Sequence, residues 1–177
     1  MATTPTRLMT FAEFERLPWP RDCRYELRHG ELFKVPPPKY KHFLLQQKLR
    51  ELLQEAAGAA GKAYTEVGFR ARPEGEFRIA DVAYAANERW AQPDPEGYFT
   101  GAPDLLIEIL SRSNTAAEML DKRNLCLEND CREFWVVDLD HRQVEVSTPD
   151  GHTITYKSGQ EIPLFFGGRL ATHAIFS

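Results

Sequence analysis

Three residues spaced along this chain are of the types that divalent-metal chemistry uses. Asp81 lies in Phe77-Arg-Ile-Ala-Asp-Val-Ala-Tyr84, and Glu108 lies in Gly101-Ala-Pro-Asp-Leu-Leu-Ile-Glu-Ile-Leu-Ser111. The second run is short, apolar and bounded by Gly-Pro and Ser signals, and the first alternates, so each predicts a strand. Each strand then carries one carboxylate among residues that ask for a dry interior. An ionised carboxylate there is costly unless a cation meets it. If the two strands pair, the acids converge, and two converging carboxylates repel unless a divalent cation joins them. Hard oxygen donors with few histidines nearby favour Mg²⁺ or Mn²⁺ over zinc. The competing expectation is that each acid pairs with an arginine such as Arg70, Arg72 or Arg78.

The third residue is Lys122. A helix is predicted from about Thr115 to Glu128, on which Met119, Lys122, Leu125 and Cys126 share a face. The lysine stem therefore starts from a partly apolar side, and its ammonium is placed to swing toward the carboxylates. There it would orient a water molecule or offset charge on a phosphoryl oxygen. The plainer alternative is a solvated surface lysine.

The elements that must position these residues alternate between helix and strand. Thr10-Phe-Ala-Glu13 is a capping-box pattern, which predicts a short helix over 10–17. Arg24-Tyr-Glu-Leu27 and Glu31-Leu-Phe-Lys-Val35 read as a hairpin turning near His29-Gly30. After Pro36-Pro37-Pro38 comes the clearest helix, about Tyr40 to Ala57, with Leu45, Leu49, Leu52 and Ala56 on one face and His42 beside them. Strands are expected near 63–70 and 77–84, then a loop over 87–101 able to close over something, then the Glu108 strand. Glu133–Asp138 is a further strand, and Gln143–Ser147 with His152–Lys157 makes a C-terminal β-meander. Neither repeats nor a linker interrupt the pattern, so residues 1–177 are expected to form a single α/β domain, a mixed β-sheet flanked by helices.

Composition narrows the setting. The formal net charge is −4, which argues against a general nucleic-acid coat, yet the charge is uneven. Residues 1–50 hold ten Lys or Arg against five Asp or Glu, and the remainder is acidic. A basic first third can face a polyanion. Cys23, Cys126 and Cys131 are an odd number without zinc-type spacing, as expected of reduced cytoplasmic thiols. No apolar run approaches the roughly 20 residues of a membrane helix, and no signal-peptide core opens the chain, so no membrane association is expected.

Taken in order, several segments resemble the Uma-two family of restriction-endonuclease-like proteins. They are Arg24-Tyr-Glu-Leu-Arg-His-Gly-Glu-Leu32, Pro36-Pro-Pro followed by His42, Asp81-Val82, Gly101-Ala-Pro-Asp-Leu, Ile107-Glu108-Ile109-Leu110-Ser111, Lys122-Arg123 and Glu133-Phe-Trp-Val-Val-Asp138. Gly167-Gly168 and Phe176 continue the likeness. The resemblance implies the fold of the PD-(D/E)XK nuclease superfamily. It matches Asp81 to that motif's first acid, Glu108 to its second, and Lys122 to a lysine moved from the strand to the next helix. It also raises Glu26, which alternation in a hairpin would otherwise leave as an exposed glutamate. Departures are Ala80 for a proline before the first acid, Ser111-Arg112-Ser113 for Ser-Pro-Ser, Cys126 for a tyrosine, and Asn129-Asp130 before Glu133. No Asp-X-Lys or Glu-X-Lys occurs in the chain.

These expectations combine into a metal-dependent endonuclease acting on DNA. Asp81 and Glu108 would hold Mg²⁺ or Mn²⁺, and Lys122 would position the attacking water. Glu26 and His42 are second-rank catalytic candidates, His42 having a core histidine as its alternative. Lys39, Lys41, Lys48 and Arg50 would touch the DNA backbone, and a homodimer would supply two sites for two strands. Asp104 is expected to cap a turn and Asp138 to be structural. The alternatives are a nuclease-fold DNA-binding or regulatory protein that does not cut, and a metal hydrolase of a small substrate.

Overall fold

The computed structural model describes residues 7–18, 23–72, 74–91 and 96–177. Helix α1 (Phe11–Glu15) opens on the predicted capping box: Thr10 accepts from the Glu13 amide, and Glu13 accepts from the Thr10 amide. It is shorter than the pattern suggested. Strands β1 (Arg24–Arg28) and β2 (Glu31–Val35) pair antiparallel around His29 and Gly30, with φ of 50° and 78°. Two successive left-handed residues suit a hairpin turn that follows strand twist. Helix α2 (Tyr40–Ala57) runs from the three prolines to Gly58, as expected. Its buried stripe is Leu45, Leu49, Leu53 and Ala57, while Leu52 is half-buried and Ala56 exposed. The expected face thus shifts by one residue along its second half, because a period of 3.6 carries the contact line around the helix.

The main sheet has seven strands in the order β5-β3-β4-β6-β7-β8-β9. These are β3 (Gly61–Arg70), β4 (Arg78–Ala86), β5 (Phe99–Thr100), β6 (Leu105–Ile109), β7 (Glu133–Asp138), β8 (Gln143–Ser147) and β9 (Thr153–Lys157). β3–β4, β4–β6, β7–β8 and β8–β9 are antiparallel, and β3–β5 and β6–β7 are parallel. Helix α4 (Ala116–Leu127) makes the β6–β7 crossover that a parallel pair requires. Thr115 caps it through a second capping box with Glu118. The mixed sheet, its helices and the C-terminal meander are those read from the sequence.

Alternation sorts the core into two layers. Val82, Tyr84, Leu105, Ile107, Trp135 and Val137 face α2, where Leu45, Leu49 and Leu53 pack on them. Leu106 and Phe134 face the other way, onto Cys126 of α4. Three pieces escaped the sequence pattern. Helix α3 (Asn87–Trp90) and β5 lie within the expected 87–101 loop, of which residues 92–95 fall outside the described part. The third piece is a closing unit of hairpin β10 (Glu161–Pro163) and β11 (Arg169–Ala171) with helix α5 (Thr172–Phe176). Strands of three residues are too short to show alternation, yet Ile162, Leu164, Leu170 and Ile175 complete the α2 layer. Among the described residues no helix is long and apolar enough to cross a membrane.

Leu49 is 0% exposed at the centre of the α2 layer. Leu49→Ala is expected to lower the unfolding free energy by about 2–5 kcal/mol, measured by urea denaturation, because the site is closed on all sides.

Candidate active site

Strands β4 and β6 pair through Val82–Ile107 and then part. The next residues along this register are Asp81 and Glu108. There each carboxylate accepts from a backbone amide. Asp81 Oδ2 accepts from the Ile109 amide at 2.8 Å, and Glu108 Oε1 accepts from the Asp81 amide at 3.3 Å. The two acids are therefore neighbours because the strands separate where they meet.

Lys122 comes to this point from the second turn of α4. Its ammonium lies 2.9 Å from Glu108 Oε1, 3.5 Å from Glu26 Oε1, and donates to the Ile79 carbonyl at 2.6 Å. Glu26, from β1, is itself buried; it accepts from the Ile79 amide at 2.8 Å and pairs with Arg28 at 2.7 Å. At Glu108 a partner cation and a drift toward the neutral form both operate. Burial pushes its pKa up to about 7 against the pull of Lys122, and the nearby Asp81 charge adds to the rise. Burial opposes the charge on Lys122 too, but Glu108 and Glu26 outweigh it and hold the ammonium protonated above the ordinary lysine range. For Glu26, burial is likewise outweighed by Lys122 and Arg28, which keep it ionised below the usual glutamate value.

Helix α2 closes the other side. His42 Nε2 is 3.0 Å from Asp81 Oδ1, so the histidine on the apolar face is turned to an acid rather than into the core. That hydrogen bond raises the His42 pKa despite burial. In return, burial of Asp81 is outweighed by His42, the Ile109 amide and Lys122, and its pKa falls. One turn on, Gln46 Nε2 donates to the same Asp81 oxygen at 3.0 Å and also contacts Glu66 Oε1. Glu66 in turn pairs with Arg24.

Asp81, Glu108, Lys122, Glu26 and His42 thus meet in one place, drawn from β4, β6, α4, β1 and α2. The arginines offered as alternative partners are engaged elsewhere: Arg78 with Glu76 and Asp121, Arg72 with Asp130, and Arg70 with Glu74. Asp104 does serve structure, accepting from the Ala86 amide and pairing with Arg89 at 2.8 Å. Asp138 likewise binds the turn after its strand through the Asp140 and His141 amides. The basic residues of α2 do not act together. Lys39 and Lys41 are exposed, whereas Lys48 reaches Ser177 and Arg50 pairs with Glu51. Gln46 and Glu66 were missed. A lone glutamine on an apolar helix face was the available sign of the first, and the second needed the β3–β4 register.

Chemically, the site offers hard oxygens, an ammonium that stays charged, and an imidazole. Among the described residues no three His, Cys, Asp or Glu side chains already form a metal-ligating group. The cationic partners of Asp81 and Glu108 are Lys122 and, when protonated, His42.

A model of the Uma2 family, described as "Putative restriction endonuclease", matches residues 11–167. The chain belongs to this family. Among solved structures, it is similar to one described as "a putative nuclease belonging to DUF820 from Anabaena variabilis", with a TM-score of 0.81 and 21% identity over 95% of this chain and 97% of that one. At that identity the likeness is one of fold. No curated protein gives a match. As a Uma2 chain it accommodates its departures structurally. Cys126, where a tyrosine is usual, is wholly buried behind Lys122, and burial raises its thiol pKa well above the ordinary value. Asn129 accepts from the Arg72 amide and donates to the Leu125 carbonyl, tying the end of α4 to the loop after β3.

The raised Glu108 pKa has a stability consequence of definite sign. Its unfolded reference is 4.5 and its folded value about 7, so the folded state binds the extra proton between them. Metal-free wild type must then lose stability as pH rises across that window. Relative to wild type, Glu108→Gln is expected to have a higher melting temperature at pH 8 than at pH 5 in EDTA. An equal difference at both pH values would show that Glu108 titrates normally.

Proposed function

We propose that this Uma2 protein is a Mg²⁺- or Mn²⁺-dependent endonuclease that hydrolyses phosphodiester bonds in DNA. The observation that carries the reading is the buried Lys122 ammonium, 2.9 Å from Glu108 where β4 and β6 part around Asp81. A carboxylate pair supplies hard oxygen donors of the kind such an ion takes, and the adjacent lysine adds a fixed positive charge beside them. The donors are oxygens, one from each of two strands, and the buried amide oxygen of Gln46 beside them lacks any hydrogen-bond donor. Residues of this kind fit a hard divalent cation.

Asp81 and Glu108 would hold that ion. When bound it supplies Lewis acidity toward a phosphoryl oxygen and offsets charge as the bond order changes. Lys122 remains protonated, so it serves as donor and fixed charge rather than as base. Its longest contact, 3.5 Å to Glu26, is the one a water molecule most readily replaces. From there the ammonium fixes the water's position and Glu26 accepts one of its protons as a hydrogen bond. The water oxygen would form the new P–O bond as the ester P–O bond breaks, the proton it releases passing to solvent and the leaving oxygen taking one up from solvent, so that the net change is hydrolysis. His42, on the α2 side of Asp81, would contact the phosphate. Lys39, which precedes α2, and Lys41 on it are exposed and would make backbone contacts. In this reading residues 1–177 act as one cytoplasmic domain, and a homodimer brings two sites to the two strands.

Purified protein is expected to nick supercoiled plasmid with Mg²⁺ or Mn²⁺ and not with EDTA. Asp81→Ala and Glu108→Ala should abolish nicking, and Lys122→Met should slow it about 10²–10³-fold, the effect of losing one aimed donor. Nicking that survives both carboxylate substitutions would sink the proposal. Salt-sensitive DNA binding without nicking would leave a nuclease-fold binding protein instead.

A further inference from the structure

Two features beside Asp81 are costly as they stand. Gln46 is 0% exposed, and its Oε1 is buried with no hydrogen-bond partner. A buried amide oxygen without a donor is costly and calls for a reason. Its Nε2 meanwhile sits between Asp81 Oδ1, at 3.0 Å, and Glu66 Oε1. Glu66 is a non-glycine residue in the middle of β3 with φ of 56°. The pairs Thr65–Val82 and Val67–Ala80 flank it, which sets it opposite Asp81 across the ladder. Left-handed backbone at such a position is strained and gathers at functional sites.

We propose that Gln46 and Glu66 are further ligands to the divalent cation, closing its shell with Asp81 on the α2 side. The inference rests on the metal-dependent reading above. Without a cation, two carboxylates on either side of Nε2 favour the amide's N–H groups, and its oxygen is left unpaired. A divalent cation near Asp81 reverses that preference. Turning the amide about its last torsion brings Oε1 to the carboxylate side, where the ion gives it the partner it lacks. Glu66 then offers Oε1 to the ion and keeps its pairing through Oε2 with Arg24. His42 gives up its share of Asp81 Oδ1. Two carboxylates and an amide carbonyl on this side, with Glu108 on the other, make a set of oxygens suited to Mg²⁺ or Mn²⁺.

The test is a calorimetric titration of the full-length protein with Mn²⁺ alone. Wild type is expected to bind, and Glu66→Gln to weaken binding by about 10–100-fold, the range for groups that support a metal site. Gln46→Glu, which adds a carboxylate oxygen at the same place, should bind Mn²⁺ more tightly than wild type. Melting temperatures in EDTA separate ligation from structure, since a purely structural Glu66 would lower the melting temperature and leave the affinity unmoved. Unchanged affinity in Glu66→Gln, with binding lost in Asp81→Ala and Glu108→Ala, would overturn this inference and leave the metal-dependent reading standing. Wild type that binds no Mn²⁺ would remove both.

Discussion

An ammonium buried among carboxylates governs how this site is built. Taken alone, the Lys122 charge would be driven out of the interior, and Glu108 and Glu26 would each be driven toward the neutral form. Together they satisfy one another through Lys122's contacts to Glu108, Glu26 and the Ile79 carbonyl. The arrangement still leaves an imbalance. Four carboxylates, Glu26, Glu66, Asp81 and Glu108, face three permanent cations, Arg24, Arg28 and Lys122. His42 supplies the fourth charge only when protonated. With His42 neutral and Glu108 ionised, these groups carry one negative charge in excess in a largely dry setting, which either a proton on Glu108 or a further cation offsets.

That convergence depends on devices remote from the chemistry. Helix α4 must present Lys122 in one orientation, and two contacts fix it. Arg78, buried in β4, binds Asp121, the neighbour of Lys122, at 2.9 Å, while Arg28 of the hairpin reaches Glu118 at 3.0 Å. Cys126, one turn beyond Lys122, seals the helix against the sheet. Hairpin β1–β2 is held to β4 by the reciprocal Leu27–Phe77 bonds, which carry Glu26 to the amide of Ile79. A ladder that continued past Val82–Ile107 would have consumed the amide of Ile109 in a backbone bond to Ala80. Because it stops, the Asp81 carboxylate takes that amide and is thereby oriented.

Much of this could be read from residue order, for reasons that differ by element. Helices α2 and α4 and strands β6 and β7 are long or apolar enough for periodicity to show. Asp81 and Glu108 stood out as acids in dry strands, and Lys122 as a lysine on an apolar face. Their meeting follows once those two strands pair. Where the information is relational, sequence failed. Glu66 gains its place only from the β3–β4 register, and Gln46 only from the turn of α2 that also carries His42. A charge count over the basic first third is blind to relations of the same kind. A count does not show that Lys48 is tied to Ser177, that Arg50 is tied to Glu51, or that Arg24 and Arg28 belong to the site itself.

The absence of a literal Glu-X-Lys illustrates how space and sequence trade against each other. Two residues beyond Glu108 the strand offers Leu110, 38% exposed, where that motif would set its lysine. A lysine there would point to the same side of the strand as Glu108. Lys122 starts instead from the helix that covers this side, and its four-carbon stem spans the layer between helix and sheet. The apolar face of α4 shelters that stem, so the ammonium is delivered to Glu108 with the rest of the side chain buried. What the carboxylate requires is a cation within hydrogen-bond reach, and that requirement places no condition on which element carries it. Moving the lysine to the helix also makes its position depend on the packing of α4, so that Thr115, Arg78 and Cys126 become part of what holds the charge in place.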